Sequence, residues 1–176
     1  GKMQDDITDG VKALINDKIV DPNRVCIVGA SYGGYAALAG GAFTPDLYKC
    51  VVAIAPVSNL PKMLSSEKRR FGRNHWVISY WEERMADGKF DRNKLREISP
   101  VNNAESFTES VLLLHGRDDS VGPIDQSEAM RNALKRAGKS VELIKLKGED
   151  HWLSESDTRL QTLKAVSTFI DKHIGK

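Results

Sequence analysis

Apolar residues recur at two different spacings along this chain. Near the start, Ile7, Val11, Leu14 and Ile15 repeat at helical spacing behind Asp5 and Asp6, which are candidate caps, so the pattern predicts an opening amphipathic helix. An Asp21-Pro22-Asn23 turn ends that segment. Residues 24–28 form a short β-rich run closed by Gly29, and residues 35–41 read as a helix of small side chains that can pack closely on a sheet. Residues 51–55 are a continuous apolar run of the kind buried on both faces of a parallel sheet, and 111–114 and 141–146 supply a third and a fourth strand. Between those two, Ala129, Met130, Ala133, Leu134 and Ala137 share one helical face, with Gly138 at the stop position. Ser154 and Asp157 suggest a capping box for a long closing helix marked by Leu160, Leu163, Val166, Ile170 and Ile174.

Strands alternating with helices predict the α/β class, a parallel sheet flanked by helices with right-handed crossovers. Two features depart from the simple alternation. Residues 60–110 are too long for one crossover and carry helical signals of their own, so they read as an excursion over the sheet. Its Trp76, Tyr80 and Trp81 are read as local packing, with the lining of a substrate pocket as the alternative. The chain also opens on a helix and offers only four strands, as the C-terminal part of a larger domain would.

Composition narrows the function classes. The 176 residues are 40% hydrophobic and 28% charged, which suits one globular domain burying roughly two thirds of its unfolded surface. Lys and Arg total 26 against 24 Asp and Glu, so a net charge of +2 gives no electrostatic reason to expect nucleic acid or an anionic membrane as partner. The one basic cluster, Lys68, Arg69 and Arg70, reads as a solvated helix face. No apolar run approaches the ~20 residues of a membrane span and the first residues lack a signal peptide's apolar core, so the chain reads as soluble, cytoplasmic or periplasmic according to what precedes it. Cys26 and Cys50 have no CxxC spacing and no nearby histidine pair, and they read as buried free thiols rather than a disulfide or metal ligands. No cluster has ligand spacing, so no metal or organic cofactor is indicated.

The chemistry lies in Gly29-Ala30-Ser31-Tyr32-Gly33, which fits G-x-S-x-G, a tight turn that lifts a serine hydroxyl above the C-terminal end of a strand. Side chains at Gly29 or Gly33 are expected to collide with neighbouring backbone there. A serine hydroxyl is a poor nucleophile near neutral pH, so the reading requires a histidine base and an acid that orients it. Of four histidines, His173 lies in the closing helix, His75 in the excursion, and His115 at a strand end where it supports a turn. His151 sits in a loop between the last strand and the last helix, which suits a base. The acid belongs in the loop after the preceding strand, where Asp118 and Asp119 both stand. The resulting chain order, serine then acid then histidine, is that of α/β-hydrolases.

The stretches "GASYGGYAAL", "LLLHGRDDSVGPIDQS" and "LKGEDHWLS", with the opening "KMQDDITDGVKALI", resemble the catalytic domain of the prolyl oligopeptidase family of serine peptidases, in particular its dipeptidyl-peptidase and acylaminoacyl-peptidase branches. The resemblance covers nearly the whole chain. It implies that the acid is Asp119 rather than Asp118, that the Tyr32 backbone N–H serves the oxyanion hole, and that the substrate is a peptide. It further implies a β-propeller and a second oxyanion donor upstream, so the 176 residues read as one hydrolase domain that is a fragment of a larger peptidase. Two other functions remain as alternatives: a carboxylesterase for small esters, and a non-catalytic interaction domain that keeps the fold. The strand at 24–28, without an upstream neighbour, is an apolar edge expected to drive self-association.

Overall fold

Four parallel strands in the order β1-β2-β3-β4 form the centre of the computed structural model, which describes residues 2–86 and 91–175. The strands are β1 (Cys26–Ala30), β2 (Cys50–Ile54), β3 (Ser110–Gly116) and β4 (Val141–Leu146). Around them lie α1 (Lys2–Asn16), α2 (Tyr32–Phe43), α3 (Leu60–Phe71), α4 (Trp76–Ala86), α5 (Arg92–Glu97), α6 (Asp125–Arg136) and α7 (Ser156–Ile174). Spatial order equals chain order, so each crossover adds the next strand to the same side.

The continuous apolar runs are explained by a sheet covered on both faces. Val51, Ala53, Val111 and Leu113 pack with Ala37, Leu38 and Ala42 of α2 and with Met130, Ala133 and Leu134 of α6. The alternate residues Val52, Leu112 and Leu114 face Ala165, Val166 and Phe169 of α7. The period of two along β2 and β3 thus feeds two cores at once. Gly138 takes φ +70° just past α6, and the Lys139 N–H donates to Leu134 O at 2.9 Å, a left-handed helix stop where the pattern predicted one.

The excursion is a small layer of its own. Leu60 and Leu64 of α3, Ile78 of α4 and Leu95 of α5 form a separate buried cluster against Tyr35 of α2, whose hydroxyl donates to Ile98 O at 3.1 Å. Burial, and then the charge of Tyr32, push the Tyr35 hydroxyl up to about 12, so it stays a protonated donor. Asn59 caps α3 by accepting the Lys62 N–H. Residues 87–90 of the expected excursion lie outside the described residues.

Several expectations are corrected. Cys26 and Cys50 are not free thiols but a disulfide. They are register partners on adjacent parallel strands, with Cα atoms 4.7 Å apart, inside the range a disulfide spans. Trp76 and Tyr80 are 69% and 44% exposed and stay outside the buried cluster that holds Ile78, so their packing is limited to neighbouring rings, Trp76 against His75 and Tyr80 edge-on to the half-buried Trp81. The capping box at Ser154 and Asp157 is absent, because the Ser154 hydroxyl donates instead to Asp150 Oδ2 and Glu155 takes the cap position of α7 without a side-chain bond. Helix α1 starts at Lys2, which places Asp5 and Asp6 inside it rather than ahead of it.

Candidate active site

Ser31 is the single residue between β1 and α2, and its backbone has φ +54° and ψ −117°, a conformation rarely taken by a residue with a side chain. Its N–H donates to Ile54 O at 2.9 Å and its carbonyl accepts from the Tyr35 N–H at 3.1 Å, so neighbouring strand and helix together hold the strained turn. Ser31 takes the N-cap position of α2, yet its hydroxyl makes no capping bond. The Oγ lies instead 3.0 Å from His151 Nε2.

The glycines around it divide differently from expectation. A Cβ on Gly29 would lie 2.0 Å from Gly33 O, so only glycine fits there. A Cβ on Gly33 meets nothing within 4 Å. The close approach belongs to the next residue, Gly34, where a Cβ would lie 3.0 Å from both Ile54 O and Pro56.

His151 stands in the loop between β4 and α7, and its Nδ1 lies 2.7 Å from Asp119 Oδ2. A carboxylate only accepts, so Nδ1 carries the proton and Nε2 is left to accept from the serine hydroxyl. The structure therefore brings Ser31, His151 and Asp119 into one hydrogen-bonded chain at the carboxyl ends of β1, β3 and β4. Asp118 is exposed and points its backbone, not its carboxylate, at the histidine loop: its N–H donates to Glu149 O at 3.0 Å.

Asp119 is buried and held from several sides. Its Oδ1 accepts from the N–H groups of Val121 and Gly122 at 2.9 and 2.7 Å. His115, fully buried at the end of β3, places Nε2 2.6 Å from Gly122 O and 3.3 Å from Asp119 Oδ2. Because a carbonyl cannot donate, the proton sits on Nε2, and Nδ1 accepts from the Ser127 hydroxyl at 2.8 Å. Burial by itself pushes the Asp119 carboxyl up, but hydrogen bonds from His115, His151 and the Gly122 N–H outweigh it and hold the group down at about 2. Ionised at neutral pH, Asp119 keeps the imidazole in the tautomer that presents Nε2 to the hydroxyl.

Two supports escaped the sequence reading. Arg70, read as part of a solvated face, donates through Nη1 to Ser120 O at 2.9 Å and so braces the loop of Asp119 from α3. Glu149 is fully buried two residues before His151, where its carboxylate accepts from the Asp150 N–H at 2.9 Å and from the Thr158 hydroxyl of α7. A charged residue with no periodic context carries no sequence signal of burial. Tyr32 is half-exposed and opens α2, and a helix leaves its first N–H groups without intrahelical acceptors. His75 stacks on Phe71 and His173 lies against Phe169, and the histidine hydrogen-bonded to Ser31 is His151. Among the described residues no group of three or more His, Cys, Asp or Glu is arranged to hold a metal ion, and no helix is long and apolar enough to cross a membrane.

The chain has relatives among known proteins. A sequence model described as "Prolyl oligopeptidase family" matches residues 1–176. The chain is 29% identical over 180 residues to dipeptidyl aminopeptidase BIII of Pseudoxanthomonas mexicana, covering 99% of this chain and 25% of that protein. It is 23% identical to the acylamino-acid-releasing enzyme of Rattus norvegicus, covering 97% of the chain and 23% of the relative. Among solved structures, the acylaminoacyl peptidase of Pyrococcus horikoshii superposes with a TM-score of 0.82 at 26% identity, covering 98% of this chain and 28% of that one. The chain thus spans about a quarter of the length of these relatives.

Proposed function

Because the chain belongs to the prolyl oligopeptidase family, we propose that it carries the catalytic centre of a serine peptidase, with Ser31 as nucleophile, His151 as general base and acid, and Asp119 as the group that orients the imidazole. The observation that carries this reading is the unbroken run of hydrogen bonds from Ser31 Oγ through His151 to Asp119 Oδ2. In the proposed reaction Ser31 Oγ attacks the carbonyl carbon of a peptide bond as its proton passes to His151 Nε2. The same proton goes to the departing amine when the C–N bond breaks, leaving an ester on Ser31. Water then gives a proton to His151, attacks the ester, and the proton returns to Oγ.

The Tyr32 N–H is the proposed donor to the oxyanion, a contribution on the order of 3 kcal/mol. Its place as the first N–H of α2, directly after the nucleophile, supports that role. Gly29 acts mechanically by letting the elbow close, and the open space at Gly33 gives that residue no comparable steric part. The substrate class is oligopeptides, of dipeptidyl or acylaminoacyl type, in keeping with the names of the relatives. A longer parent protein with a β-propeller ahead of this domain belongs to the same proposal, since the relatives are about four times as long. So does self-association through the edge of β1.

Replacing Ser31 by Ala in the full-length protein tests the reading. Hydrolysis of an aminoacyl-arylamide is expected to fall by about 10⁶ with folding unchanged. Turnover at the wild-type rate would end it.

A further inference from the structure

Trp152 is 74% exposed, the most exposed of the large hydrophobic side chains among the described residues, and it follows His151 directly in the chain. Its indole lies 5.2 Å from the imidazole, centroid to centroid, at an interplanar angle of 89°. The position is held rather than loose. The Trp152 N–H donates to Asp150 Oδ1 at 2.8 Å, and Ser154 donates to the same carboxylate through its N–H at 3.3 Å and its hydroxyl at 2.8 Å. Leu153 is fixed at φ +54°, and its carbonyl accepts from Arg159 Nη1 at 3.2 Å. A braced loop therefore presents a large apolar ring to solvent beside the base, and the fold itself makes no use of that ring for its core.

The chemistry assigns a side of the substrate to that ring. In acyl transfer the atom that receives the proton from His151 Nε2 is the one that leaves, so the chain beyond the scissile bond must pass over the imidazole. We propose that Trp152 is a specificity-determining residue for the leaving half of the substrate, favouring peptides whose residue just after the scissile bond has a large apolar or aromatic side chain. This rests on the reading of Ser31, His151 and Asp119 as the acyl-transfer site. Stacking or edge contact with an indole adds selectivity of roughly three- to tenfold for an aromatic side chain over none. The contact exists only until the acyl-enzyme forms, because the leaving half has then departed. Trp152 consequently affects acylation and leaves deacylation untouched.

The test compares the full-length wild type with Trp152→Ala and Trp152→Phe on a ladder of peptides that are identical up to the scissile bond and end in Phe, Leu or Gly after it. For Trp152→Ala, kcat/KM is expected to fall three- to tenfold on the Phe and Leu peptides and less than twofold on the Gly peptide, and Trp152→Phe restores most of the loss. The rate at which a fluorophosphonate labels Ser31, and kcat/KM on the methyl ester of the same acyl group, should be unchanged, since neither presents a leaving residue. A flat ladder, or an equal loss on peptides and methyl ester, overturns the proposal while normal labelling leaves the acyl-transfer reading standing. Failure of the wild type to label would instead overturn that reading itself.

Discussion

The carbonyl oxygen of Glu149 accepts the N–H of Asp118 at 3.0 Å, so the loop that carries His151 and the loop that carries Asp119 are hydrogen-bonded to each other at their roots. Gly116 makes the approach feasible, because a Cβ at that position would lie 2.3 Å from the same Glu149 oxygen. Gly116→Ala is therefore expected to push the two loops apart, destabilising the protein by about 1–3 kcal/mol and lengthening the His151–Asp119 contact. Equilibrium denaturation and peptidase kinetics measured together check it. Activity that survives at the wild-type level with Gly116→Ala would show that the loops are positioned by other means.

Glu149 itself is expected to behave as an anchor. Its removal in Glu149→Ala takes the acceptor from the Asp150 N–H and leaves the Thr158 hydroxyl with Glu155 O alone, at a cost of about 1–3 kcal/mol. Glu149→Gln keeps one acceptor oxygen and should recover much of both stability and kcat. If Ala and Gln prove equally damaging to denaturation midpoint and kcat, the hydrogen bonds are not what the residue supplies.

Asp119 links the site to acid stability. Its value in the folded state, about 2, lies below the ordinary 3.8, so folding favours the ionised form. Its contribution to stability is complete above the ordinary value and is lost as pH falls through about 2. Asp119→Asn should flatten that part of the pH–stability curve and lower kcat by about 10⁴, since an amide can hold the imidazole in the wrong tautomer. Denaturant midpoints taken from pH 5 down to 2 supply the first measurement. A variant curve that keeps the wild-type slope would contradict the assignment of that carboxyl as the titrating group.

The Cys26–Cys50 bond closes a loop of sequence separation 24 across the start of β1 and β2. In the chain-entropy account a loop of that size adds about 3 kcal/mol, so a double substitution to Ala or Ser lowers Tm by about 10 °C. Thiol titration of the unreduced, denatured protein checks the pairing. Two reactive thiols per chain would mean that the cysteines are free.

Strand β1 pairs with β2 on one side, and Val28 in its middle is 45% exposed. An apolar edge of this kind recruits other strands. The 176-residue chain by itself is expected to self-associate, and Val28→Lys should reduce the association. Size-exclusion chromatography with light scattering decides: a monomer at high concentration for the unsubstituted chain would refute it.

How much of this was legible before the fold was known depends on the residue. β2 and β3 were readable because burial on both faces demands unbroken apolar runs, whereas β4 interrupts its apolar residues with exposed Glu142 and Lys145; β2 and β4 lie within one residue of their predicted places. Ser31, His151 and the pair Asp118 and Asp119 were readable because each falls in a loop at a strand's carboxyl end, while topology does not separate the two aspartates and only the family resemblance pointed to Asp119. The Cys26–Cys50 pairing was not, since it depends on the register between β1 and β2, which no local pattern encodes. The exposure of Trp76 and Tyr80 was hidden because aromatic content alone does not say which face of a helix meets a neighbour. The exchange of Gly33 for Gly34 as the crowded position follows from where Pro56 lies, 22 residues further along the chain.

Ser31 is the proposed nucleophile and His151 the group proposed to activate it. Mass-spectrometric mapping of the fluorophosphonate adduct in the full-length protein tests this assignment most directly. One adduct is expected, on the peptide containing Ser31, and it disappears in His151→Ala. An adduct on any other residue, or labelling of Ser31 that is undiminished without His151, would contradict it.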